Sequence, residues 1–206
     1  MLLIIHRVNT IHKLKTIPYE YGVEIDVRGY GDKLLLSHEP IVDLLLDTYD
    51  ELEAYLASYA HRFVVFNMKE AGYEDRVIDL AKKYAINDFF LLDVEFPYIY
   101  KVTREHQFRK IAIRYSEAEP IASVEAQMEK GNPLVDWVWI DTNTILPLDA
   151  SIIEKLKVFK TCLVSPDRWG RPGDRREYIE RMKQLSFIPD AVMVGFEYVD
   201  MWRMMS

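Results

Sequence analysis

Short apolar runs recur along the chain, and between them apolar residues fall at helical spacing. The runs cover residues 2–6, 23–28, 63–68, 89–93, 110–114, 137–141, 161–165 and 191–195, with a short extension at 33–37 after the second. Each is bounded by polar or turn-forming residues and is too short for a helix, so each predicts a strand. Helical periodicity runs over 48–59, 73–84, 120–130, 151–158 and 174–185. Asp47 or Thr48 is placed to cap the first of these, and Asp149 or Ser151 the fourth. The connections after the first and fourth strands give weaker helical signals. Strands alternating with helices predict a parallel α/β fold, and the eightfold repeat favours a closed (β/α)8 TIM barrel over an open doubly wound sheet. The chain has 206 residues, near the lower limit of about 200 for that architecture, so its loops must be short. No linker rich in Gly, Pro or Ser divides it, and residues 1–206 read as one domain.

Composition narrows function more than fold. The formal charge is -7 and no basic stripe stands out, which argues against nucleic acid as a partner. The apolar N-terminus, Met-Leu-Leu-Ile-Ile, is too short for a signal-peptide core and lacks a small-residue cleavage site. No run reaches the roughly 20 apolar residues of a transmembrane helix, and the protein reads as cytoplasmic. The single cysteine, Cys162, lies in an apolar run and reads as a small core residue.

Strand after strand begins apolar and ends in polar residues: His6-Arg7, Asn67 with Lys69, Asp93 with Glu95, Arg114, Asp141 and Glu197. Active sites of (β/α)8 barrels sit at these C-terminal strand ends. Glu24 and Asp26 are different, because they lie inside the run Gly22-Val23-Glu24-Ile25-Asp26-Val27-Arg28 with apolar neighbours on both sides. Alternation along a strand points both carboxylates the same way. Two adjacent carboxylates in a core repel each other, and a divalent cation relieves them; oxygen ligands suit Mg²⁺ or Ca²⁺. The other reading is a salt bridge with Arg7, Arg28 or Lys69. His6 and His38, near such a cation, would supply general acid and base, which together suggest metal-assisted chemistry on a phosphate ester. Trp137, Trp139 and Asp141 share a strand face and read as packing, and His12, His61 and His106 read as surface residues.

Taken together, His6-Arg7, the Glu24-x-Asp26 strand and Ser37-His38-Glu39-Pro40 resemble the glycerophosphodiester phosphodiesterase family, one of the phosphatidylinositol-phospholipase-C-like barrels. The match is best over residues 1–40 and weaker to Lys69. The resemblance implies a (β/α)8 fold and a metal-dependent phosphoric diester hydrolase of lipid metabolism. It implies one divalent cation, Mg or Ca, held by Glu24, Asp26 and the residue at position 67. It makes His6 and His38 the acid–base pair and Arg7 and Lys69 contacts to the phosphate of a small phosphodiester substrate.

The departures are specific. Val8 follows His-Arg where the family has glycine, and Asn9-Thr10 comes directly afterwards without the usual acid. Glu39 replaces the aspartate after the second histidine, and the usual insertion beyond it is missing. The family's third acidic ligand, two residues before the lysine, is Asn67 here. An amide oxygen can bind Mg²⁺ or Ca²⁺ but brings no charge, so Asp93 or Glu95 is expected as a possible substitute. Two alternatives stay open at this point: a catalytically inactive barrel that binds a phosphate-containing ligand, and a lyase that forms a cyclic phosphate.

Overall fold

The structure is a computed structural model and describes residues 1–204. Among these residues, eleven strands and eight α-helices follow in the order β1 (Leu2–Ile5), α1 (Ile11–Leu14), β2 (Gly22–Tyr30), β3 (Lys33–Leu36), α2 (Leu52–Ala57), β4 (Phe63–Met68), α3 (Glu74–Lys83), β5 (Phe89–Leu92), α4 (Phe96–Glu105), β6 (Ala112–Tyr115), α5 (Ile121–Glu125), β7 (Met128–Glu129), β8 (Asn132–Pro133), β9 (Trp137–Ile140), α6 (Ala150–Leu156), β10 (Lys160–Val164), α7 (Arg175–Gln184), β11 (Ala191–Val194) and α8 (Val199–Arg203). The hydrogen-bonded order of the main strands is β5-β4-β2-β1-β11-β10-β9-β6. This is the strand sequence of a (β/α)8 TIM barrel, with a helix after each main strand. No helix among the described residues is long and apolar enough to cross a membrane.

The chain divides into two compact units, Ile4–Tyr98 and a second made of Met1–Leu3 with the chain from Ile99 onward. In the first unit, β2 pairs in parallel with β1 and β4, and β4 with β5. Val64, Val65, Phe66, Phe90, Leu91 and Leu92 are wholly buried. Such near-continuous apolar runs are what strands covered on both faces require. The predicted extension after β2 is an antiparallel strand, β3, which pairs Val27 with Leu36. At Gly29 a Cβ would lie 2.1 Å from the Tyr73 ring, so glycine is what allows that aromatic to pack on β2. In the second unit, β9 pairs in parallel with β6 and β10, and β10 with β11. Cys162, Trp137 and Trp139 are buried there, as packing residues should be.

Several local expectations need correction. The helix expected over 48–59 begins only at Leu52, with Glu51 before it and no side-chain cap; residues Asp43–Thr48 form a 3-10 turn instead. The helix expected over 120–130 ends at Glu125, and a small hairpin follows. Its turn uses Lys130 and Gly131, both at positive φ (50° and 82°), a conformation that ends helical winding. The weak signal after the fourth strand is a ten-residue helix, α4. Asp149 caps α6 as expected, accepting from the amides of Ser151 and Ile152. His61 is buried rather than exposed, with Nε2 2.8 Å from the Ile17 carbonyl oxygen and the Tyr19 ring edge-on beside it.

Candidate functional site

The C-terminal ends of β1, β2 and β4 gather most of the residues singled out in the sequence. Parallel register sets Glu24 beside Val65 and Asp26 beside Asn67. Glu24 and Asp26 share a face of β2, and Asn67 and Lys69 a face at the end of β4. The first loop folds over this face. The Val8 amide donates to the Glu24 carbonyl (2.8 Å), and the Arg7 amide donates to Glu24 Oε2 (2.7 Å). Arg7 takes a positive φ of 51° to do this, a strained conformation for a side-chain-bearing residue. Lys13 Nζ bonds the Arg7 carbonyl at 2.9 Å and helps hold that turn.

Each carboxylate is held on two sides. Glu24 Oε1 accepts from Asn67 Nδ2 at 2.9 Å, and His6 Nε2 stands 3.8 Å from Glu24 Oε2. Asp26 Oδ2 accepts from Asn9 Nδ2 at 2.8 Å, and Asn9 Oδ1 accepts the Asp26 amide at 2.9 Å. Lys69 Nζ lies 2.9 Å from Asp26 Oδ1. That contact is an ion pair without hydrogen-bond alignment, so Oδ1 and the nearby Asn67 Oδ1 are both buried without a hydrogen-bond donor. The Lys69 amide donates to the Val27 carbonyl (3.0 Å), which fixes where its side chain starts.

Electrostatics follow from this crowding. Glu24 is 1 % and Asp26 0 % exposed. Burial first, and the Asp26 charge second, raise the Glu24 pKa from 4.5 to about 7; the Asn67 amide, the Arg7 amide and Lys69 pull the other way. A buried carboxyl pair poised in this way is a common mark of a functional site.

His38 stands on its own loop. Its Nδ1 is 2.7 Å from Glu39 Oε1, and its carbonyl accepts from Arg28 at 2.7 Å. Arg28 also pairs with Glu70, whose second oxygen accepts the Gly29 amide at 3.0 Å. Glu39 is lowered mainly by His38, with Arg7 and Arg28 contributing, so the charge of Arg7 is felt at this loop. The structure therefore joins His6, Glu24, Asp26, Asn67 and Lys69 directly, and brings in Arg7 through its backbone and its charge. The sequence reading missed Asn9 and Glu70, and it offered Arg28 as a partner for Glu24 or Asp26 where the structure pairs it with Glu70. Asn9 follows His-Arg closely enough to have been a candidate, but its partner lies seventeen residues away.

Two buried carboxylates of like charge and two buried oxygens without a donor are hard ligands for Mg²⁺ or Ca²⁺, so the set fits such an ion. It fits weakly, because Asn67 supplies no charge. Asp93 and Glu95 do not make up the deficit. Both are exposed, and among the described residues no three His, Cys, Asp or Glu side chains come together as a metal site.

Comparisons with known proteins agree with the architecture. No protein-family model matches the sequence, and no curated protein matches it. Among solved structures, a glycerophosphoryl diester phosphodiesterase from Parabacteroides distasonis superimposes with a TM-score of 0.66 at 12% identity, over 98% of this chain and 86% of that one. A glycerophosphodiester phosphodiesterase from Agrobacterium tumefaciens gives 0.64 at 12% identity, over 98% and 99%. At this identity the likeness fixes the fold, and the chain has the barrel fold of these phosphodiesterases.

Proposed function

We propose that this protein is a phosphodiesterase that cleaves a small phosphodiester, of the glycerophosphodiester type, at the ends of β1, β2 and β4. The observation that carries the reading is the buried pair Glu24–Asp26 with His6 on one carboxylate and Lys69 on the other. A structural salt bridge would need one acid and one base. Here two acids, an imidazole, an ammonium and a strained arginine turn meet at strand ends, where this fold carries its chemistry.

Arg7 and Lys69 supply cationic donors for the phosphate oxygens. One imidazole, His6 or His38, takes the proton from the attacking hydroxyl or water. The other protonates the leaving alkoxide. Glu24 orients His6, and Glu39 orients His38, leaving the far ring nitrogen to the substrate. Asn9 keeps Asp26 in place from two directions. Glu24, Asp26 and the Asn67 amide oxygen would hold one Mg²⁺ or Ca²⁺, which when bound polarises the phosphoryl group.

Release of alcohol from bis(p-nitrophenyl) phosphate and from glycerophosphodiesters, with Mg²⁺ or Ca²⁺ present, tests this. Turnover that His6→Ala removes supports it, and zero turnover by the wild type on every diester tried counts against it. A second reading, a barrel that binds the phosphodiester without turning it over, is favoured by one observation: Asn67 stands where a third acid would be. It predicts diester binding with no product. Phosphorus NMR of any product separates a monoester from the cyclic phosphate of a lyase.

A further inference from the structure

We propose that Lys69 is a built-in competitor of the divalent cation: the two contend for Asp26, so metal binding is weak while Lys69 is paired, and it frees the Lys69 ammonium for the substrate phosphate. The proposal rests on the reading of Glu24 and Asp26 as cation ligands and deepens it.

The geometry leaves one oxygen of Asp26 to be contested. Oδ2 is occupied by the Asn9 amide, and the return bond from the Asp26 backbone to Asn9 Oδ1 fixes the orientation of the pair. Oδ1 alone is without a hydrogen bond, and Lys69 Nζ sits 2.9 Å from it. Asp26 is wholly buried and Lys69 is 15 % exposed, so this ion pair is only weakly screened by water. An ammonium and a doubly charged ion repel strongly at such distances, and they cannot both rest on one oxygen. Glu24 cannot hold the cation without Asp26, since each of its oxygens already carries a donor, Asn67 Nδ2 and the Arg7 amide. A cation entering here must therefore displace Lys69.

Displacement has a consequence for function. The Lys69 stem starts from a backbone fixed by its bond to Val27, and the ammonium at its end is flexible. Once released from Asp26 it is a point charge available to an anion. Metal and phosphodiester then bind with positive coupling, and by linkage each tightens the other by the same factor. Asn67 makes the competition matter. With a third acid the cation would win easily, whereas with a neutral amide the lysine holds its own.

Calorimetric titration of the intact protein with Ca²⁺ alone tests the proposal. Lys69→Met should bind Ca²⁺ at least tenfold more tightly than the wild type, Lys69→Arg should stay close to wild type, and Glu24→Gln should abolish binding in either background. Equal or weaker binding by a folded Lys69→Met overturns the competition while leaving the cation site intact. Binding that survives Glu24→Gln, or is missing from wild type and Lys69→Met alike, overturns the cation reading itself and the competition with it. If Lys69→Met fails to fold, the wild type still decides. The Lys69 side-chain resonance, assigned by comparison with Lys69→Arg, should shift on Ca²⁺ saturation, and an unmoved resonance overturns the proposal.

Discussion

The strand ends of the two units solve the same problem in opposite ways. Beyond β6, β9, β10 and β11, the buried Asp141 and the half-buried Asp167 each meet donors that match them. Asp141 accepts from Trp139 Nε1 at 3.0 Å and pairs with Arg114. Asp167 accepts from Ser165 and from the Gly195 amide at 3.0 Å, and Trp202 Nε1 donates to Ser165 Oγ at 2.9 Å. Beyond β1, β2 and β4, two carboxylates stand side by side, one is pushed to about 7, and buried oxygens are left without donors. The first arrangement gives its acids matched donors and holds a fold. The second keeps unspent electrostatic potential, which is useful only if something else binds.

The comparison breaks most visibly in catalysis. Replacing His6 with alanine should cut phosphodiester cleavage by about 10²–10⁴-fold, the usual worth of a general acid or base. Asp141→Asn, at the other strand ends, should leave the rate within a few-fold. Initial rates of both variants check this, and equal losses would erase the distinction between the regions.

Stability should divide the other way. Asp141→Ala removes the carboxylate shared by Arg114 and Trp139; it should cost about 1–3 kcal/mol in urea unfolding. Glu24→Gln keeps the shape of the side chain and removes a buried charge that repels Asp26. It should be neutral or stabilising above pH 7 when no divalent cation is added.

The pH dependence sharpens this further. Glu24 has a folded pKa of about 7 against 4.5 for an ordinary carboxyl. The native state therefore binds its proton more tightly, so this contribution is fully present below pH about 4.5 and is lost as pH rises through 7. The loss is on the order of 3 kcal/mol at most. Asp149, held below its ordinary value chiefly by the Ile152 amide, has the opposite sign; its contribution is lost as pH falls. Melting temperatures across pH 5–8 without added cation should decline in the wild type and level off in Glu24→Gln. The same decline in both would assign the effect to another group.

How much of this was legible beforehand depends on the range of the interaction. The strand–helix alternation and the Glu24-x-Asp26 pair could be read locally, because apolar periodicity and like charges in one run are properties of neighbouring residues. Asn67 and Lys69 could be read locally only as polar residues at a strand end; their roles as third ligand and phosphate contact came from the family resemblance alone. Asn9 and Glu70 were missed, and Arg28 was given the wrong acid, because their partners lie far along the chain. His61 was misread for the same reason, its burial being made by Ile17, Tyr19 and Tyr59. Asp93 and Glu95 are exposed and neither joins a group of three metal-binding side chains among the described residues; alternation predicts which face a side chain takes but not what it meets there.

The smallest effect expected is at position 67. Since no third acid joins Glu24 and Asp26, Asn67→Glu should tighten Ca²⁺ binding by roughly tenfold, about 1.4 kcal/mol. Unchanged affinity in calorimetry would mean that the amide is not part of the donor set.

The central claim is that Glu24 and Asp26 form a phosphodiester-cleaving site rather than a structural ion cluster. Its most direct test is the initial rate of glycerophosphodiester hydrolysis by wild type and Glu24→Gln across a Mg²⁺ titration. The rate should rise and saturate with Mg²⁺ in the wild type and stay near background in Glu24→Gln. Equal rates in the two proteins at every Mg²⁺ concentration would contradict it.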